Sequence, residues 1–453
     1  MNSNGISFGE AFRVWVKIAM LSFGGPAGQI ALMHRVLVEE KKWISESRFL
    51  HALNYCMLLP GPEAQQLATY IGWLLHRTLG GVVAGVLFVI PGAVVILGLS
   101  ILYAGYQDVS FVQAIFYGIK AAVLAVVIEA VLRIGKRALK NSVMAALALA
   151  AFAALFLFQV PFPMVVRGAG IFGFFGGRLN PDNFVIVSGH EPEGGEDTPA
   201  VDAALSSGNL DHTKPSRARA IKVSVVCLTL WLSPLAVLIA VLGLGHVYVQ
   251  EGFFFSKMAV VTFGGAYAVL AYVAQEAVNF YHWLAPGEML DGLGMAETTP
   301  GPLIMVVQFV GFMGAYRNPG MLDPMFAGFL GAMITTWVTF VPCFLWIFLG
   351  APYIEALRGN KSLSAALSAI TAAVVGVILN LAVWFGLHVV FGKVDEVQTA
   401  GMTLQIPVWE TIDGIALVLA AGALVAMLRL KIGMIPTLLM CATAGAVYKM
   451  ALT

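Results

Sequence analysis

Long apolar runs separated by short polar stretches repeat along the whole chain. They cover roughly 10–37, 50–75, 79–105, 112–132, 142–159 and 161–176, then 253–279, 289–316, 325–350, 363–390, 411–428 and 432–450. One further run, 223–249, lies between the two sets. As helices, apolar runs of about 18 residues or more are long enough to cross a bilayer. The pattern therefore predicts an all-α polytopic membrane protein. Residues 178–221 break the pattern. Within them, Glu191, Glu193, Glu196 and Asp197 mix with Gly and Pro, which reads as a solvated, disordered tether. The expected organisation is a first repeat at 1–177, a cytoplasmic flexible linker at 178–222, a connecting membrane helix at 223–249 and a second repeat at 250–453.

The repeats are visible residue by residue. Ser22-Phe23-Gly24-Gly25 recurs as Thr262-Phe263-Gly264-Gly265, Trp43 as Trp283, and Pro60-Gly61-Pro62 as Pro300-Gly301-Pro302, each 240 positions downstream. Farther along, Pro91 matches Pro342 and Ala121-Ala122-Val123 matches Ala372-Ala373-Val374, now at 251. An insertion around Tyr316 to Ala327 accounts for the change. One unpaired crossing between two related halves turns the second upside down relative to the first, the inverted-repeat build of many secondary transporters.

Charge sets the orientation. The clusters Arg133/Lys136/Arg137/Lys140, Arg77, Lys214/Arg217/Arg219/Lys222, Arg358/Lys361 and Arg429/Lys431 all fall on one side if the N-terminus is cytoplasmic. The C-terminus is then periplasmic. Lys41, Lys42 and Arg48 disagree if the first two runs each cross once. The disagreement disappears if the four motif-bearing runs, 10–37, 50–75, 253–279 and 289–316, are broken or re-entrant helices, the arrangement we favour.

Composition narrows the class. The chain is 59% hydrophobic and 11% charged, with a net charge of +1. A soluble domain carries about 25% charged residues, and the balanced charge offers nothing to nucleic acid. Cys56, Cys227, Cys343 and Cys441 are scattered in apolar runs and read as buried small hydrophobes. No catalytic nucleophile, metal cluster or nucleotide-binding Gly-rich loop stands out, so neither an enzyme nor a cofactor is expected. A homodimer is left open.

The Gly and Pro motifs carry the expected chemistry. Proline removes a helix hydrogen bond and clashes with the preceding turn. Pro60-Gly61-Pro62 should thus break its run near mid-depth, about 15 Å from Leu50. A helix restarting there aims unpaired N–H groups and its positive dipole end at the break, an anion site in outline. Pro300-Gly301-Pro302 repeats this, and Gly24-Gly25-Pro26 with Gly264-Gly265 mark the partner breaks. Around them, Ser22, Thr262, Gln65, Gln66, Thr298 and Thr299 are candidate substrate contacts. Glu63 and Glu297 are candidate proton carriers, and Lys120 a candidate source of positive charge, because intramembrane ionisable groups are expensive and functional by default.

These residues also resemble a known family. Phe23-Gly24-Gly25-Pro26, Trp43 and Leu59-Pro60-Gly61-Pro62 look like the chromate transporter family, and their recurrence looks like its long, two-domain members. The resemblance spans nearly everything except the tether. It implies a transporter of the bacterial inner (plasma) membrane that exports chromate, with sulfate a related dianion, uses the proton gradient and gives chromate resistance. Its partners would be the oxyanion, protons and the lipid bilayer. Ala266 departs from the pattern where the first half has Pro26. The alternative is a transporter or channel for another inorganic anion or small solute.

Overall fold

A computed structural model describes residues 6–23, 25–184, 215–263, 266–285, 287–353, 361–399 and 402–452. Gly24, Gly264, Gly265 and most of the predicted tether lie outside these residues. Apart from one β-hairpin the architecture is helical, and six helices are long and apolar enough to cross a membrane. The protein is an all-α polytopic membrane protein.

The chain opens with four helical arms that each stop short of a span. α1 (Phe8–Leu21) is capped by the Ser7 hydroxyl, which accepts from Glu10 N–H. The chain breaks at Ser22 and resumes as α2 (Gly25–His34), which ends in a π-helical turn, Arg35–Glu40. α3 (Glu46–Leu58) runs in, and α4 (Glu63–Tyr106) starts at Pro60-Gly61-Pro62. α4 is itself two helices. His76 and Arg77 leave helical geometry, Arg77 with φ of +55°, and the arms 63–75 and 78–106 fold back on each other. Gly72 and Gly80 let them touch: a Cβ on Gly80 would lie 2.3 Å from the Gly72 carbonyl.

The contacts of these arms show that the chain doubles back. Lys41 Nζ reaches Glu10 at 2.9 Å, and Lys17 Nζ reaches Glu40 at 3.2 Å, so the end of α2 returns beside the start of α1. His76 at the far end of the fourth arm contacts the Ile6 carbonyl at 3.0 Å. All four arms therefore share one outer end.

The second half repeats the pattern. α8 (Arg217–Leu242) connects the halves. It stops at Gly243, φ +78°, whereas hydrophobicity runs on to 249 because Leu244, Val247 and Val249 flank the turn. α9 (Val247–Val261), α10 (Ala266–Gln275) with a π turn at Glu276–Phe280, α11 (Glu288–Glu297) and α12 (Val306–Arg317) follow. Even the corners match. Lys42 and His282 both adopt positive φ, and each precedes a buried tryptophan whose N–H donates back to the π turn: Trp43 to Leu37 and Trp283 to Ala277. Trp283 lies against Phe254, Phe255 and Tyr281, fixing the second set of arms at its own outer end.

Two long helices hold the sets apart. Arm 78–106 passes Gly72 near its start, the Gly301 turn at Gly92, and Tyr316 at Ala104. Gly80 to Ala104 is about 36 Å of helix, so the two sets of arms approach from opposite ends. α13 (Pro324–Gly350) does the same in reverse, from Phe312 at Gly328 through Gly61 at Cys343 to Tyr55 at Trp346.

Around this centre the halves exchange helices. α5 (Ser110–Ala138) packs on the C-terminal pair α15 (Gly414–Leu428) and α16 (Met434–Leu452), while α14 (Lys361–Val390) packs on α6 (Ser142–Phe156) and α7 (Phe162–Leu179). Gly118 lies against the Cys441 carbonyl and Gly376 against that of Ala148, close approaches that only a missing Cβ permits. A hairpin of β1 (Val394–Thr399) and β2 (Met402–Pro407) follows α14, and Thr403 N–H donates to the Leu157 carbonyl at 2.8 Å. All four cysteines are free and buried.

The doubling back is checkable. A short bis-maleimide should join Glu10→Cys to Lys41→Cys, read as a linked peptide pair by mass spectrometry. Failure to link in a folded, fully labelled protein would place the two ends on opposite faces.

Candidate functional site

The four breaks meet at one crossing. Gly61 N–H donates to the Thr262 carbonyl at 2.8 Å, and Gly301 N–H donates to the Ser22 carbonyl at 2.9 Å. Each Pro-Gly-Pro turn is thus completed by the interrupted helix of the other half. Both glycines need positive φ, +120° at Gly61 and +98° at Gly301, a region that L side chains rarely enter. The space is also closed. Gly301 sits on Gly92, where a Cβ would meet the Pro300 carbonyl at 2.6 Å, and Gly61 sits on Cys343.

Polar side chains brace the crossing. Gln29 Nε2 donates to the Gly301 carbonyl at 2.5 Å and reaches the Ser22 carbonyl at 3.4 Å. Gln66 Nε2 donates to the Pro60 carbonyl at 2.7 Å, and Gln65 bonds Thr69. The hydroxyls expected to face an anion donate elsewhere. Ser22 donates to Ile18, Thr262 to Met258, Thr298 to Gly294 and Met295, and Thr299 to Ala296. The donors that remain for an anion are backbone N–H groups. Pro62 precedes α4, so the first-turn N–H groups at Glu63, Ala64 and Gln65 have no helical carbonyl behind them. Pro302 likewise precedes a 3-10 turn, Leu303–Met305.

The two expected carboxyls differ in setting. Glu63 is half-buried at the first position of α4. Glu297 is buried at the end of α11, accepts the Tyr267 hydroxyl, and leaves its second oxygen without a protein partner. That oxygen lies 3.9 Å from where a Cβ on Gly25 would be, so Glu297 of the second half touches the break of the first. Lys120 is elsewhere. It pairs with Asp291 at 3.3 Å beside Gly287, at the base of the second set of arms, where Asp291 also accepts from Tyr103 at 2.9 Å. The neighbouring Glu288 takes both nitrogens of Arg317 at 2.7 Å. This network pins the base of the hairpin.

Sequence reading missed Gln29, whose matched position in the second half is Val269; a lone amide in an apolar run was its signal. It also missed Glu251, fully buried with both carboxyl oxygens unpartnered between Gly314 and Gly331. Among the described residues no three His, Cys, Asp or Glu side chains gather as metal ligands. A polar cavity of about 280 Å³ adjoins Glu297, lined among others by Glu129, Arg133, Tyr267 and Lys431.

Two sets of broken helical arms, meeting tip to tip among helices long and apolar enough to cross a membrane, suit a transporter-type protein. The sequence then specifies which: residues 9–174 and 249–446 match the family model for the chromate transporter, and the chain belongs to that family. It is 32% identical over 382 residues to a chromate transport protein of Pseudomonas aeruginosa, covering 82% of this chain and 80% of that one. It is 27% identical over 365 residues to a chromate transport protein of Cupriavidus metallidurans, covering 80% and 79%. A probable chromate transport protein of Synechococcus elongatus is 24% identical over 380 residues, covering 84% and 85%. No solved structure matches the chain.

The closeness of the crossing predicts its sensitivity. Gly92→Val must displace the Pro300 carbonyl and should lower stability by about 1–3 kcal/mol, read as an earlier thermal transition of the detergent-purified protein. Gly98→Val, with open space around it, should melt as wild type. Equal melting of the two would mean that the turn yields freely.

Proposed function

We propose that the protein exports chromate from the cytoplasm across the bacterial inner membrane in exchange for protons, with sulfate as a related dianion and chromate resistance as the outcome. The N-terminus lies in the cytoplasm and the C-terminus in the periplasm. The observation that carries this reading is the reciprocated crossing, Gly61 to Thr262 and Gly301 to Ser22. Irregular backbone at membrane depth is tolerated where it is buried in protein or lines a cavity, and helix N-termini beside such breaks attract anions. The relatives named as chromate transport proteins supply the substrate class.

In this reading the anion binds at the crossing of two inverted repeats, held by the first-turn N–H groups after Pro62 and Pro302. Gly25, Pro26, Gly61, Gly301 and the residues around Gln66 shape the space. Alternating access follows when one set of arms shifts against the other. Glu63 and Glu297 carry the protons, one at the start of a helix facing the break and one buried against it. Lys120 is committed to Asp291 and acts as a structural ion pair.

Uptake into everted vesicles tests this. Chromate should accumulate only with an imposed pH gradient and should be blocked by excess sulfate. Accumulation that persists with the gradient collapsed would overturn coupling, and transport of neither anion by well-inserted protein would overturn the substrate. Glu63→Gln should lower gradient-driven accumulation about tenfold while leaving anion binding near wild type. Unchanged gradient-driven flux would remove Glu63 from coupling.

A further inference from the structure

The cavity beside Glu297 is built from both halves. Glu129 and Arg133 come from α5, Tyr267 from α10, Glu297 from the end of α11, and Lys431 from the turn between α15 and α16. Its volume, about 280 Å³, is roughly that of nine liquid waters at about 30 Å³ each, enough for a tetrahedral oxyanion with part of its hydration shell. Arg133 and Lys431 also belong to the basic clusters that mark one membrane side, so the cavity opens on the face assigned to the cytoplasm.

Two features make it more than a basic hollow. Glu297 is buried and lines the cavity, yet one carboxyl oxygen has no protein partner. It also adjoins Gly25, where α2 begins after the first break. The groups facing Glu297 are Tyr267, which donates its hydroxyl, Glu129 and Arg133 across the cavity, and Lys431 at its rim. Arg133 is only loosely held by Glu129, at 3.7 Å with 40% of its side chain exposed.

We propose that this cavity is the cytoplasmic vestibule of the transporter, an oxyanion site in which Glu297 is a resident counter-anion to Arg133 and Lys431. The inference rests on the transport reading above and assigns its inner access site. With Glu129 and Glu297 both ionised, the two acids balance the two bases and a dianion gains little. A proton on Glu297 leaves the cavity net positive, and the anion then binds. The proton is one arriving inward through the crossing: it sits on Glu297, held by Tyr267, while the anion loads, and its release to the cytoplasm as the anion moves on keeps the two fluxes opposed.

Titration calorimetry of the purified full chain with sulfate tests this. Binding should tighten about tenfold from mildly alkaline to mildly acidic pH, with about one proton taken up per anion. Glu297→Gln should still bind, but with no proton uptake and a flat pH profile. Arg133→Gln and Lys431→Gln should each weaken binding about tenfold, and Arg133→Lys should restore most of it. Lys136→Gln, on the same helix but exposed and outside the cavity, should bind as wild type. If the wild type binds sulfate and the Arg133 and Lys431 variants bind equally well, the vestibule is refuted while the transport reading stands. If Glu297→Gln keeps the pH profile, its role as proton-bearing counter-anion is refuted. A folded wild type that neither binds sulfate nor transports chromate would remove both readings.

Discussion

A backbone that stops being helical inside a membrane must find its hydrogen bonds without water. That constraint organises this protein. At the crossing, the turn N–H of Gly61 is answered by Thr262, and that of Gly301 by Ser22. Neither half can close its own break, because the opposing carbonyl belongs to the other. The long helices then have a defined task. Arm 78–106 and the helix Pro324–Gly350 run from one set of arms to the other, and each places its close-contact residue, Gly92 or Cys343, against the turn at the middle.

The backbone symmetry contrasts with asymmetry in the side chains. Glu297 occupies the position matched by Met57, Glu63 that of Leu303, Gln29 that of Val269, and Gly92 that of Cys343. Matching turns keep the geometry of the crossing, while unmatched polar groups give it direction. One carboxyl sits at the start of a helix and the other is buried against the opposite break. The hydroxyls of Ser22, Thr262, Thr298 and Thr299 satisfy carbonyls of their own segments. They stabilise interrupted helix ends, and the exposed chemistry is left to backbone N–H groups and carboxyls.

Much of this was legible because breaks are written in a few residues. A shared displacement of 240 positions linked Ser22-Phe23-Gly24-Gly25, Trp43 and Pro60-Gly61-Pro62 to their copies, and proline at mid-run has few structural outcomes. The turn at Arg77 also followed, and basic residues on an unexpected face favoured broken or re-entrant arms over simple crossings. What could not be read depends on contacts distant in sequence. Lys120 is one charged residue in an apolar run, and only folding brings Asp291 to it. Gln29 is marked only by its polarity. The β-hairpin at 394–407 pairs an exposed strand with a half-buried one, and neither alternates. The end of the helix Arg217–Leu242 was hidden by apolar residues on both sides of Gly243. The exchange of outer helices between halves depends on small-residue contacts such as Gly118 with Cys441, which hydropathy does not register.

The reciprocated turns also bear on why both halves lie in one polypeptide. A turn completed only from outside makes each half an obligate partner of the other, and joining them in one chain converts their encounter into an intramolecular event at high effective concentration. Two copies of a single half could form the same crossing, but they would carry identical residues on both sides. Fusion removes that requirement. It allows one break to face Glu297 and its twin to keep Met57, so that a symmetric junction acquires a single buried acid and with it a polarity that a pair of identical halves could not have.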